Sequence, residues 1–211
     1  MTADPVTGLR ADARRNRDQI LAAAKQWFAV QGPDVPMEEI ARAAGVGIGT
    51  LYRRFPDREA LIQAVARDSF EKALAEARAA VAEEPTAWEA LVRFLHQSQE
   101  LRLTMQLAMT SPPRIVLRDD EERNELRRAL IEVLDTVVHA AQAEGTLRGD
   151  IDTGDVAMVF ALLVRQVPKT DDTVAGLAAE RCMALILDGL RAPSSGAPLP
   201  GRPITAEDIG P

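Results

Sequence analysis

The chain predicts an all-α protein, a three-helix head followed by a larger helical bundle, and three observations carry that prediction. Alanine is plentiful while aromatic residues make up only 4% of the 211 residues, a composition suited to closely packed helices. Apolar residues recur three and four positions apart in segment after segment. Glycines and prolines fall at the ends of those segments, as at Gly45, Pro56, Pro85 and Gly145. One stretch points elsewhere: Leu101, Leu103, Met105, Leu107 and Met109 alternate as in a strand. A lone strand among helices would leave its backbone groups without partners, so this stretch too reads as helix, buried inside the bundle.

Four segments follow from the pattern: a disordered arm over residues 1–12, the head over 13–57, the bundle over 58–192 and a disordered tail over 193–211. The first helix, about Arg14 to Val30, carries Ile20, Leu21, Ala24, Trp27 and Phe28 on one stripe, with Trp27 and Phe28 expected in the core. Met37, Ile40, Ala41 and Ala44 give the second helix its buried face, and Gly45 follows where a helix ends with positive φ. Leu51 and Phe55 form the inner side of the third helix, and Val46 fills the turn between the two. Asp57 is the expected N-cap of a helix running to Glu84, roughly 40 Å long. Pro85 breaks it, and the next helix begins near Thr86 with Trp88, Leu91, Val92 and Leu95 on one face.

Beyond Ser111-Pro112-Pro113, a helix from about Asp120 carries Leu126, Leu130, Leu134, Val137 and Ala141. It stops at Gly145, with Leu147 placed for the hydrophobic contact that follows a glycine cap. Asp152 or Thr153 caps a further helix that ends at Pro168, and the last runs from about Thr173 to Leu190. The tail after Ala192 is rich in Pro, Gly and Ser.

Composition narrows the function. No apolar run approaches the ~20 residues that span a bilayer, the N-terminus lacks the apolar core of a secretory signal, and Cys182 is the only cysteine. These features predict a cytoplasmic protein without membrane association. The net charge is −7, but residues 10–58 hold nine Lys/Arg against six Asp/Glu, while residues 59–211 hold sixteen against twenty-five. A basic head on an acidic body orients a protein on DNA while the body limits non-specific binding. Catalysis finds no support. His96 and His139 are far apart with no Cys or His at ligand spacing, and no nucleophile elbow, P-loop or dinucleotide glycine pattern occurs. No catalytic residue, metal or cofactor is expected.

Residues 37–55, MEEIARAAGVGIGTLYRRF, read as helix, glycine turn and helix. Ile48, Thr50, Tyr52, Arg53 and Arg54 lie on the outer side of the second helix, a polar, basic and aromatic face suited to the major groove. The string IARAAGVGIGTLYRRFPDREAL closely resembles the helix-turn-helix signature of the TetR family of transcriptional repressors. The resemblance covers roughly residues 14–65. Two positions depart from it: Pro36 stands where the family usually has Thr or Ser, and Gly47 where serine is common, each removing a hydroxyl that caps a helix or touches a phosphate.

The resemblance implies a dimer on a palindromic duplex operator, released by a small-molecule effector. Arg42 would address a guanine edge and Ile48 a thymine methyl, Thr50, Tyr52 and Arg58 would grip phosphates, Arg53 and Arg54 would go to either, and Arg14 and Arg17 would also contact DNA. Gly49 would let the backbone come close to DNA or to its neighbour helix, and Gly47 is expected at the DNA contact as well. The homodimer would form through Val156, Phe160, Leu163, Val167, Ala178, Cys182, Leu185 and Gly189. An effector pocket would be walled by Trp88, Phe94, Met105, Met109 and Phe160, with Gln97, Gln99, His96 or Arg165 as polar anchors. The rival reading is a helical protein-interaction module whose head no longer reads DNA.

Overall fold

The computed structural model describes residues 5–97, 121–165, 173–192 and 198–209. They form eight α-helices: α1 (Pro5–Gln31), α2 (Met37–Ala43), α3 (Ile48–Arg54), α4 (Arg58–Glu83), α5 (Ala87–Gln97), α6 (Glu121–Ala143), α7 (Thr153–Arg165) and α8 (Thr173–Leu190), with a 3-10 turn at Glu207–Ile209. No β-strand occurs among the described residues, where one isolated antiparallel bridge joins Leu147 to Arg191. The protein is all-α. The alternating stretch around Met105 lies outside the described residues.

Two compact units divide after Asp68, inside α4. In the first, Ile20, Leu21, Ala24, Phe28, Ile40, Leu51, Phe55, Leu61, Ile62 and Val65 are buried. The head therefore extends past the expected limit at residue 57, because the opening turns of α4 bury Leu61, Ile62 and Val65. A largely buried ion pair, Lys25 to Asp68 at 2.8 Å, ties α1 to α4 at the same level. Trp27 is only half-buried, so Phe28 alone of the expected aromatic pair is a core residue. Residues 5–12, expected to be a disordered arm, belong to α1. Pro5 has the fixed φ that suits a first helical position, and the run to Arg17 contains good helix formers.

The second unit has its core among Leu74, Trp88, Leu91, Leu95, Leu130, Leu134, Val138, Val156, Phe160 and Met183, with others. Local chemistry sets the helix ends. Thr86 caps α5, the Glu89 amide donating to Thr86 Oγ1 while that hydroxyl donates to the Glu89 carboxylate. At Gly145, φ is 71°, and the amides of Gly145 and Thr146 donate to the carbonyls of Gln142 and Ala141, closing α6 as a Schellman turn with Leu147 buried behind it. Asp152 and Asp155 close the entry to α7, the Asp152 amide donating to the Asp155 carboxylate.

Part of the tail expected to be disordered is folded onto the rest of the chain. Residues 198–209 are folded onto α6 and α7 by hydrogen bonds to Asp150, Asp155 and Arg127. Composition suggested otherwise because those anchors lie some 50 to 80 residues upstream, out of reach of any local pattern.

Candidate nucleic-acid interface

The turn between α2 and α3 is built by Gly45. Its φ of 67° lies in the left-handed region that side chains with a Cβ avoid. The Val46 amide donates to the Ala41 carbonyl at 3.0 Å and the Gly45 amide to Arg42 at 3.1 Å, the same Schellman pattern as at Gly145. Neither helix has a side-chain cap: Pro36 before α2 and Gly47 before α3 make no such hydrogen bond. The carbonyl of Gly47 still receives the Thr50 amide at 2.8 Å and so starts α3.

Leu51 and Phe55 anchor α3 in the core and so fix which side faces out. Ile48 is 39% exposed and Tyr52 43%, one turn apart on the outer face, with Arg53 and Arg54 also exposed. Arg53 is braced along its own helix, Nε donating to the Gly49 carbonyl and Nη2 to Thr50 Oγ1, each at 3.2 Å. Thr50 is half-buried and already accepts that bond. Arg42 projects from α2 and donates through Nη1 to both carboxylate oxygens of Glu39, at 2.8 and 2.9 Å. An exposed pair of this kind is worth ~0.2–1 kcal/mol, so a better partner can displace it. Arg14 is exposed and Arg17 half-buried, the latter 4.0 Å from Asp18.

Arg58 does not join this set. It is half-buried, and Nη1 donates to the carbonyls of Pro33 and Val35. The loop between α1 and α2 lacks intrahelical partners for those carbonyls, and the guanidinium supplies them. Its role in the structure is to hold that loop to the start of α4, beside the Asp57 cap, which accepts the Ala60 amide at 2.7 Å.

In the second unit the expected pocket residues separate. Phe94 and Phe160 pack against each other, ring centroids 6.5 Å apart, within and against the core. Trp88 instead lines an open groove of about 830 Å³ with Glu84, Val92, Arg93, Leu187 and Arg191. The Arg191 guanidinium lies 4.7 Å from the Trp88 ring centre, and Arg93 is paired with Glu83 and Glu84. Met105, Met109, Gln99 and the side chains of Gln97 and Arg165 lie outside the described residues, and His96 is exposed.

The expected dimer residues also divide. Val156 and Phe160 are buried in the chain's own core, while Ala178, Cys182, Leu185 and Gly189 are exposed along one side of α8. Among its described side chains, the large apolar ones that α7 exposes are Met158 and Leu162. Val167 and the side chain of Leu163 lie outside the described residues. Sequence reading also missed Asp135, His139 and Asp152, whose ligand-type atoms come within 4.8 Å of one another. Their one legible signal was an Asp and a His four apart on α6. Hydrogen bonds within the protein occupy them, Asp135 and Asp152 each accepting from Thr153 at 2.6 Å.

A short helix, a glycine turn and a second helix held by its inner face, with basic and aromatic side chains outward, define a helix-turn-helix DNA-binding head. Residues 20–65 match the family model described as "Bacterial regulatory proteins, tetR family", and residues 86–192 match "Transcriptional regulator SbtR-like, C-terminal domain". The chain belongs to the TetR family of bacterial transcriptional regulators. A solved TetR transcriptional regulator from Streptomyces coelicolor is 34% identical, with 84% of this chain and 99% of that one covered at a TM-score of 0.68. A TetR transcription regulatory protein from Mycobacterium vanbaalenii is also 34% identical, covering 87% and 99% at a TM-score of 0.61. An HTH-type transcriptional regulator of Staphylococcus aureus (strain USA300) is 41% identical over 54 residues, a match spanning 25% of this chain and 29% of that relative. The family is one of DNA-binding regulators, not of enzymes. No helix among the described residues is long and apolar enough to cross a membrane.

Proposed function

We propose that the protein is a ligand-responsive repressor that binds a palindromic operator as a homodimer and leaves it when a small molecule binds the second unit. The observation that carries the reading is the outer face of the head. Ile48, Tyr52, Arg53 and Arg54 stand exposed on α3 above buried Leu51 and Phe55, with Arg42 beside them on α2. One such head covers one half-site, so specific binding calls for two. The exposed apolar side of α8, Ala178, Cys182, Leu185 and Gly189, and Met158 and Leu162 of α7 supply the surface for a two-fold contact. Trp88 and its groove offer a place for an effector of drug-like size, which acts by preferring one arrangement of the dimer over the other.

Footprinting on selected operator DNA tests the reading. Two equally protected half-sites, centred one helical turn or a multiple of it apart, with two chains bound per site or per pair of half-sites, are the expected result. A single protected half-site filled by one chain would contradict it.

A further inference from the structure

The C-terminal segment is seated too specifically to be a passive end. Asp155 holds its middle from two sides: the Ile204 amide donates to Asp155 Oδ2 at 3.1 Å, and the Asp155 amide donates to the Ile204 carbonyl at 3.3 Å. The Leu199 amide donates to Asp150 Oδ2 at 3.0 Å, and Arg127 donates to the Ile209 carbonyl at 2.7 Å. The segment also clasps itself, Arg202 donating to both oxygens of Asp208 at 2.6 and 2.8 Å while Asp208 accepts the Thr205 amide.

Under Ile204 lies Gly154, in the first turn of α7. A Cβ there would stand 2.5 Å from both the side chain and the carbonyl oxygen of Ile204, closer than real Cβ atoms come. The glycine has no positive φ to explain it, so contact with the tail is what its missing side chain serves.

Gly154, Met158 and Leu162 follow at intervals of four and share one face of α7. The tail therefore covers the first turn of the face whose next two turns expose Met158 (46%) and Leu162 (52%). The tail adds an exposed apolar residue of its own, Leu199 at 48%. Of the six large apolar side chains exposed among the described residues of the second unit, five lie on α7, α8 or this tail. α7 packs against both α8 and the tail, so these apolar residues gather on adjoining elements, the kind of surface that a partner covers.

We propose that residues 198–209 are a docked strap that continues the outer face of α7, and that the strap forms part of the surface on which a second copy of this chain sits. This rests on the homodimer reading given above. Gly154 is the seat for Ile204, and Leu199 extends the contact beyond the helices.

Gly154→Ala tests it in the full-length chain. Alanine is the better helix former, so α7 is preserved while the strap must move. Hydrogen exchange over 199–209 reports the strap, and sedimentation across a concentration series reports the dimer. The expected result is faster exchange over the strap together with a dimer dissociation constant raised about ten-fold or more. A chain ending at residue 197 is expected to show the same weakening. Loss of protection with an unchanged dissociation constant in both variants would overturn the strap's part in the contact. Unchanged protection in Gly154→Ala would remove Gly154 as the seat. Leu185→Glu, on α8 and outside the strap, separates the two claims: if the wild type is a dimer and this variant a monomer, the homodimer reading stands whatever the strap does. A wild type that is monomeric throughout would overturn both.

Discussion

The two units use the same local devices for different ends. Each contains a Schellman turn on a glycine with φ near 70°, at Gly45 in the head and Gly145 in the second unit. In the head the turn sets the path from α2 to α3 and hence what α3 shows to solvent. In the second unit it leads to Leu147, whose bridge to Arg191 joins the start of one connection to the end of α8. The head's function is written in contiguous residues, while that of the second unit depends on contacts between distant ones. The difference explains why a motif identifies the head and why no such signature marks a ligand site in the second unit.

Core truncations give the largest expected separation of the two. Phe28→Ala, at a fully buried head position, costs about 3–5 kcal/mol and abolishes operator binding. Leu91→Ala costs a similar ~2–5 kcal/mol in the other unit yet leaves DNA affinity intact well below the melting temperature. Thermal melts paired with anisotropy titrations check both, and equal loss of DNA affinity in the two variants would break the distinction.

Two arginines sharpen it next. Arg42→Ala costs about 1–3 kcal/mol at the operator and relaxes preference at one base pair, with little change in stability. Arg58→Ala leaves loop carbonyls without their donor and costs about 1–3 kcal/mol of stability, while the salt dependence of DNA binding keeps its slope. A slope lowered by about one in Arg58→Ala would return that residue to the phosphate contacts.

The paired glycines come third. Gly45→Ala and Gly145→Ala each force alanine into left-handed backbone at roughly 1–2 kcal/mol. Only Gly45→Ala is expected to weaken DNA binding as well, and footprint strength at matched folded fraction would show it.

The smallest effect is on acidity. Hydrogen bonding from Arg148, then from the Leu199 amide, holds the Asp150 carboxyl well below its ordinary value of 3.8, and Arg202, then the Thr205 amide, does the same for Asp208. Groups with lowered folded values contribute their full stability above the unfolded value and lose it as pH falls through the folded one. The strap is therefore held unchanged from neutral pH to about 4 and loosens only below that. Hydrogen exchange over 199–209 against pH measures it, and loosening between pH 7 and 5 would contradict the assignment.

Much of the head was legible because its determinants are adjacent: the Gly45 turn, the Asp57 cap, and Leu51 and Phe55 inside. The hydrogen bonds of Arg58 to the loop were not legible, because spacing cannot tell an arginine that faces solvent from one that turns back to a loop carbonyl. Which side of α7 faces out was not legible for another reason. Its sequence, TGDVAMVFALLVR, is apolar nearly all round, so periodicity cannot choose between Val156 with Phe160 and Met158 with Leu162. Only packing decides. The strap escaped because Pro, Gly and Ser report the lack of regular structure, not the lack of a docking site.

Selection of the full-length protein on random duplex DNA, followed by anisotropy across a salt series on the winning sequence, tests the central claim most directly. The account predicts enrichment of a two-fold symmetric site, bound with a steep salt slope and far more tightly than a scrambled duplex. No enrichment, with weak and equal binding to every duplex, would show that the face of α3 does not read DNA.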